Sequence, residues 1–352
     1  MGLSMRLSYG YKERYYLEGS FGYNGSERFA KHNRFGFFPS IGFSYMLSKE
    51  PFIANATGHW LSFLKVRASY GKVGNDGIGD AVTDNYTQNV GRYIYLENVG
   101  INSSDQYVIY SYANPTIQWE IAEQTNLGLE VTLFKGLLDF TVDFYEEIRH
   151  NILSSRKIVP ASMGLGLYPF DNVGKVRSRG MDVSGKIQHA FSNDFWFILN
   201  GTATYNKSVF KEIEEAADKP EWQGKVGHDI SQGYIAEGLF QSQEEIDRSP
   251  IQSGNYMPGD IRYRDVNGDG KISIDDAVHI GYPTEPRFVY GFNGTVSYKR
   301  FEFNFAFQGA SKRSLFIEPS SLSPFVNDRA LLSAIWEDHW TPENMKSNPL
   351  WP

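Results

Sequence analysis

The stretch NLGLEVTLFKGLLDFTVDFY, residues 126–145, decides the fold class. Leu127, Leu129, Val131 and Leu133 alternate with Asn126, Gly128, Glu130 and Thr132, so a strand here has one apolar and one polar face. Beyond Lys135-Gly136, Leu138, Phe140, Val142 and Phe144 alternate in the same way with Asp139, Thr141, Asp143 and Tyr145. Two such runs joined by a short link predict an antiparallel hairpin.

Outward from this hairpin the period recurs. Phe301, Phe303, Phe305 and Phe307 alternate with Glu302, Asn304, Ala306 and Gln308; Tyr15, Leu17, Phe21 and Tyr23 stand opposite Glu18, Ser20 and Asn24; Leu64, Val66, Ala68 and Tyr70 stand opposite Lys65, Arg67 and Ser69. About ten to twelve strands are expected, many reaching the roughly 9–11 residues that a tilted strand needs to cross a bilayer. Tight links (Lys135-Gly136, Ser192-Asn193, Lys299-Arg300) are interspersed with long polar segments at 73–118, 150–176 and 208–229. Short turns at one end and long loops at the other are the pattern of an outer-membrane barrel, whereas loops of this length are uncommon in compact soluble domains.

Composition points the same way. The 352 residues include 22 Tyr, 25 Phe and 7 Trp, an aromatic content of 15%, yet the mean hydropathy is −0.41. A barrel with an aromatic-banded exterior and a polar interior combines both properties. The formal charge of −7 and the lack of a dense Lys/Arg run argue against nucleic acid as a partner. With no cysteine, disulfide frameworks and thiolate chemistry are excluded. No apolar run approaches the roughly 18 residues of a membrane-spanning helix, and residues 1–30 lack a signal peptide's charged start and apolar core.

Specific blocks carry a family resemblance. Asn114-Pro115-Thr116-Ile117-Gln118-Trp119-Glu120, followed by Gln124-Thr125-Asn126-Leu127-Gly128-Leu129-Glu130, resembles the strand-opening signature of SusC/RagA-type TonB-dependent transporters. Tyr16 to Ser20, Asn24 to Phe29, Asn33 to Ser40, Asn172 to Met181, Phe240 to Ile246 and the run from Gly259 to Gly309 resemble further parts of that barrel, in the same order. The resemblance implies an all-β fold, part of a large antiparallel transmembrane barrel that is 22-stranded when intact and filled by a plug. Residues 1–352 then read as one partial barrel domain, with the plug and the carboxy-terminal strands outside it. An unclosed barrel leaves two strand edges unpaired, so the 352 residues alone are expected to aggregate rather than transport. The resemblance also implies uptake of oligosaccharides or peptides, a SusD-like surface lipoprotein, energy from the TonB complex through the plug, outer-membrane lipid around the wall, and residence in the outer membrane of a Bacteroidetes-like cell. The lumen is expected to be lined by Glu130, Asp139, Asp143, Glu302, Asn304 and Gln308. Tyr93, Tyr95, Tyr107, Tyr110, Tyr112 and Trp222, in long loops, are candidates for stacking on sugar rings or for loop packing and interface anchoring.

One constellation has ion-binding spacing. In Asp265-Val266-Asn267-Gly268-Asp269-Gly270-Lys271-Ile272-Ser273-Ile274-Asp275-Asp276, oxygen side chains occupy positions 1, 3 and 5 of an EF-hand-type loop, with Gly270 at the sharp turn. Asp265, Asn267, Asp269, the Lys271 backbone carbonyl, Ser273 and Asp276 are the candidate ligands of a structural calcium ion. Position 12 is Asp where Glu is usual, and the flanks Ile261-Arg262-Tyr263 and Ile280-Gly281-Tyr282 do not read as paired helices. The alternative is an acidic Asn/Asp/Gly turn without metal.

Catalytic patterns are thin. Seven histidines are scattered without a His-x-x-x-His pair, there is no Gly-x-Ser-x-Gly elbow, and Gly164 to Leu167 lacks the lysine of a phosphate loop. Glu244-Glu245 and Glu212, Glu214 and Glu215 read as solvated charge. No active site and no catalytic cofactor are expected. The rival readings are a soluble, calcium-stabilised all-β binding module, which would bury its Phe faces against a second sheet, and a secreted β-rich hydrolase.

Overall fold

The computed structural model describes residues 1–57, 60–77, 98–101, 107–156, 158–159, 169–215, 219–230, 232–317, 323, 325, 330–346 and 349–351. In chain order the strands are β1 (Gly2–Tyr11), β2 (Tyr15–Gly25), β3 (Phe35–Met46), β4 (Leu61–Asn75), β5 (Asn98–Ile101), β6 (Tyr107–Ser111), β7 (Glu120–Leu133) and β8 (Leu138–Ser155). They continue as β9 (Phe170–Ser192), β10 (Phe195–Glu212), β11 (Gln232–Gly233), β12 (Ala236–Leu239), β13 (Ile261–Tyr263), β14 (Val278–His279), β15 (Phe288–Tyr298) and β16 (Phe301–Ser311). Short helices lie at α1 (Pro51–Thr57), α2 (Gln243–Arg248) and α3 (Ser333–Glu337).

Ten strands form one antiparallel sheet in the order β1-β2-β3-β4-β7-β8-β9-β10-β15-β16. Every neighbour in it is also the next sheet strand along the chain, the meander that an up-and-down barrel requires. The sequence-expected hairpin is β7–β8, with Leu129 opposite Val142 and Leu127 opposite Phe144. Its turn holds Phe134 and Lys135 at φ 53° and 57°.

The register is staggered. The row that starts at Tyr11, beside the β1–β2 turn, runs through Tyr15, Tyr45, Val66, Leu129, Val142, Val183 and Ala203 to Tyr290. The β15–β16 turn lies at Tyr298. The stagger is therefore about one residue per strand, which at ~3.3 Å rise and ~4.8 Å spacing tilts the strands by roughly 35°. That is the tilt of a barrel wall.

Every residue of that row is apolar or aromatic, and the same face stays apolar on both sides of it. Nothing covers it. Leu7 is 67% exposed, Leu127 52%, Phe144 54% and Phe307 67%. Among the described residues the buried apolar side chains are Phe29, Ala30, Ile117, Phe240, Ile246, Ala277 and Ile335, none of them in the ten strands. A soluble sandwich would bury these rows between two sheets. Lipid is the solvent that fits them.

Three loop expectations need correction. The segment 150–176 is strand at both ends, since β8 runs to Ser155 and β9 begins at Phe170; the 208–229 segment begins in β10, which runs to Glu212; and the 73–118 segment contains the β5–β6 pair. Strands β8 and β9, at 18 and 23 residues, are much longer than a bilayer crossing needs. Their outer ends need no apolar alternation because water lies on both sides.

The chain divides into two compact units. The first comprises Met1–Ala217, Lys225–Asp229 and Arg287–Ser311, and holds the whole sheet; the second comprises Asp218–Gly224, Ile230–Pro286 and Lys312–Pro352. The second unit has its own small core around Phe240, whose ring stacks on Tyr256 at 5.7 Å, with α2 capped by the Ser242 hydroxyl.

Candidate functional site

The polar face of the sheet is the surface that alternation assigns to the barrel interior. Its residues engage one another across strands. Lys65 on β4 reaches Glu130 on β7 at 3.2 Å, while Arg67 contacts Glu130 at 3.4 Å and donates to Asp143 on β8 at 2.5 Å. Arg67 and Asp143 flank the intervening β7 at Gly128. A Cβ there would sit 2.4 Å from Arg67 Nε and 2.6 Å from Asp143 Oδ1, so only glycine lets the pair close across it. Asp143 also stands opposite Asp182 on β9, a like-charge pairing that Arg67 offsets.

Smaller polar pairs continue this face. Thr132 donates to Asp139 at 2.7 Å, Asn200 to Asn293 at 3.0 Å, Thr295 to Asn304 at 2.5 Å and Asn304 to Glu302 at 3.0 Å. Hollows of about 620 and 450 Å³ run along β1 to β4; Arg6, Glu18, Ser20 and Ser69 are among the residues lining them. The lumen acids expected from the sequence thus lie on the polar face, and the structure adds their basic partners Lys65 and Arg67. Their signal was already present in the alternating positions of β4.

At the long-loop end, the motif residues tie loops to the sheet. Asn114 donates to the Phe170 carbonyl at 2.8 Å and accepts from the Thr116 N–H at 3.1 Å. Asn33 donates to the carbonyls of Thr116 and Ile117 at 3.0 and 3.2 Å, and the Trp119 indole donates to the Arg34 carbonyl at 3.2 Å. Inside this knot Phe29 and Ile117 are 1% exposed, and Trp119 packs against Phe29 and Phe38 with ring centroids 5.2 Å apart in each case. Asn172 replaces missing ladder bonds: it accepts from Gln118 N–H at 2.9 Å and donates to the Gln118 and Asn151 carbonyls at 3.0 and 2.6 Å. That patch sits where the β8–β9 register shifts between Arg149 and Ile152. No sequence signal short of the register itself reveals it.

Of the loop aromatics, Tyr93 and Tyr95 lie outside the described residues, as does the side chain of Tyr110. Tyr107 is 81% exposed, whereas the Trp222 indole donates to the Asp275 carbonyl at 2.9 Å and serves loop packing.

The acidic loop in the second unit is closed by its own side chains. Asp265 accepts from the N–H groups of Gly268 and Gly270 at 2.6 and 2.8 Å, with Gly270 at φ +82°; Asp269 accepts from Lys271 N–H at 2.8 Å. Asn267 accepts from Asp269 N–H at 2.9 Å and donates to the Asp269 carboxylate at 3.2 Å. Asp276 is fully buried and accepts from Val266, Asn267 and Ser273 N–H groups at 2.8, 3.3 and 2.8 Å. Burial pushes its carboxyl up, but those backbone donors and an adjacent Asp265 side chain outweigh it and hold the carboxyl below the usual range. Ser273 and Asp276 form a capping box around a 3₁₀ turn at Ile274–Asp276, and no paired helices flank the loop. Among the described residues no group of three or more His, Cys, Asp or Glu is arranged to hold a metal. Any ion in this loop would need the amide, hydroxyl and carbonyl oxygens of Asn267, Ser273 and Lys271 beside the paired Asp265 and Asp276.

Comparisons with known proteins bear on the sheet. A family model described as TonB dependent receptor-like, beta-barrel, matches residues 2–311. TonB-dependent receptor P26 of Formosa agariphila is 29% identical over 97% of this chain and 35% of its own length. TonB-dependent receptor SusC of Bacteroides thetaiotaomicron is 24% identical over 93% of this chain and 33% of its own length. The solved structure of the RagAB peptide transporter superposes with a TM-score of 0.75 at 21% identity, covering 99% of this chain and 38% of that one. The chain spans about a third of the length of the curated relatives it matches. The family is of receptor and transporter type. Because the matched span opens on the first residue of β1 and closes on the last of β16, the chain belongs to the TonB-dependent receptor-like β-barrel family and resides in the outer membrane.

Proposed function

We propose that this chain supplies part of the wall and loops of an outer-membrane, TonB-dependent importer of oligosaccharides or peptides, working with a SusD-like surface lipoprotein. The observation that carries the reading is the two-faced, staggered sheet: uncovered aromatic and aliphatic rows on one side, and the Lys65–Glu130–Arg67–Asp143 network on the other. A wall with charged hydrogen-bonding groups inside suits polar, water-soluble cargo rather than apolar cargo. Relatives named SusC and RagAB support the partner and cargo classes, the second through a title that names a peptide transporter. The test is uptake by cells carrying or lacking the whole receptor gene and its neighbouring lipoprotein gene, offered labelled oligosaccharides and labelled oligopeptides. Receptor-dependent, TonB-dependent accumulation of one class is expected. Equal accumulation with and without the receptor for both classes would contradict the proposal.

For the acidic loop we propose a structural calcium ion, supported by the ligand spacing from Asp265 to Asp276 and by the closeness of those two carboxylates. Calorimetric titration of the full-length receptor with calcium should show a heat that disappears in the Asp265→Asn variant. A calcium titration without heat or melting shift would remove the ion and leave a self-closed turn.

A further inference from the structure

At the short-turn end, two strands finish their apolar row in the same way. Tyr11 ends β1 and is followed by Lys12 at φ 50°, whose ammonium lies 5.2 Å from the centre of the Tyr11 ring. Tyr298 ends β15 and is followed by Lys299 at φ 56°, whose ammonium lies 5.3 Å from the Tyr298 ring. A third turn, Phe134-Lys135, repeats the backbone conformation.

The left-handed region disfavours a residue with a Cβ, and glycine or asparagine would adopt it at lower cost. Two lysines kept there, both over a tyrosine, are a recurrent arrangement of unlike sequence neighbours. Among the described residues neither ammonium makes an ion pair. Glu13, next to Lys12 in the chain, is engaged by Lys49 at 2.7 Å, and Glu50 by Arg14 at 3.1 Å.

Depth decides what such a cation meets. Tyr11 and Tyr298 are the last residues of rows whose remaining members are solvated by acyl chains, and Tyr15 stacked on Tyr45, and Phe191 on Phe195, extend an aromatic belt at this end. An ammonium lying about one ring beyond the belt stands where hydrocarbon gives way to headgroups. We propose that Lys12 and Lys299, each braced on its tyrosine, are docking points for the phosphate of anionic phospholipids in the leaflet at the short-turn end. The ring supplies a cation–π brace that fixes the ammonium, and the phosphate supplies a counter-charge in direct contact, whereas the protein offers Lys12 only the field of Glu50, which is already paired with Arg14.

The test uses the full-length receptor in native mass spectrometry, with retained phosphatidylglycerol counted after stepwise delipidation. The double variant K12Q/K299Q should lose the two most tightly held phosphatidylglycerol molecules while retention of phosphatidylcholine is unchanged. K12G/K299G, which removes the charge but relaxes both turns, should melt no lower than the parent and lose the same two lipids, which separates lipid docking from folding. Parent-like retention in both double variants would overturn the proposal. So would displacement of the lipids by millimolar inorganic phosphate, which would make these general anion sites.

Discussion

Gly128 shows how much a single missing Cβ can organise. The Arg67–Asp143 pair crosses β7 at this residue, and a methyl group would collide with atoms of both partners. Gly128→Ala should therefore force the guanidinium away and destabilise the sheet by roughly 1–3 kcal/mol, the usual range for overpacking. Denaturant unfolding of the full-length receptor in detergent reads this, and Arg67→Met combined with Gly128→Ala should recover part of the loss because the colliding head is gone; an additive double variant would contradict the assignment. At the opposite end, Glu50 accepts from Tyr15 at 2.8 Å and from Arg14. The Tyr15 hydroxyl first, with Tyr45, Arg14 and Lys12 adding to it against burial, holds this carboxyl below its ordinary value. A carboxyl lowered in the folded state contributes stability above its unfolded value of about 4.3, and that contribution is lost as pH falls through the folded value. Melting should thus drop on acidification below about pH 4, and Glu50→Gln should flatten the drop. An unchanged acid slope in the variant would assign it to other carboxylates.

At the level of elements, the long-loop end is held by the knot of Phe29, Ile117 and Trp119 rather than by strand pairing alone. Ile117→Ala removes a side chain that is 1% exposed, at a cost of about 2–5 kcal/mol if the site cannot collapse. Because the knot joins the β2–β3 loop to the start of β7, amide exchange should accelerate at residues 26–34 and 114–119 while the sheet keeps its protection; uniform acceleration would mean that the knot belongs to the sheet's own cooperative unit. These elements were unevenly legible in the sequence. The β7–β8 hairpin, β2, β4 and β16 declare themselves because a bilayer on one side enforces a period of two. The upper ends of β8, β9 and β10, with Glu146, Arg149, Lys175, Lys207 and Lys211, look like loop because they rise into water, where no such period is enforced. Asn172 patching the β8 irregularity, and Arg67 choosing Asp143, depend on cross-strand register that composition does not encode. The acidic loop was recognisable by spacing alone, yet its tight closure on its own backbone N–H groups was not.

For the whole molecule, the meander, the stagger of about one residue per strand and the uncovered apolar rows describe a barrel wall whose outer solvent is lipid. The chain contains no cysteine, so within these 352 residues no native thiol competes with a single introduced cysteine for the probe. The most direct measurement places a nitroxide at each position from 126 to 133 in liposomes and compares collisions with oxygen, which concentrates in the bilayer, and with a water-soluble nickel chelate. Oxygen accessibility should peak at 127, 129 and 131 and dip at 126, 128 and 130, with the chelate showing the opposite phase. Uniformly low oxygen access at 127, 129 and 131, as under a second protein layer, would contradict the membrane wall.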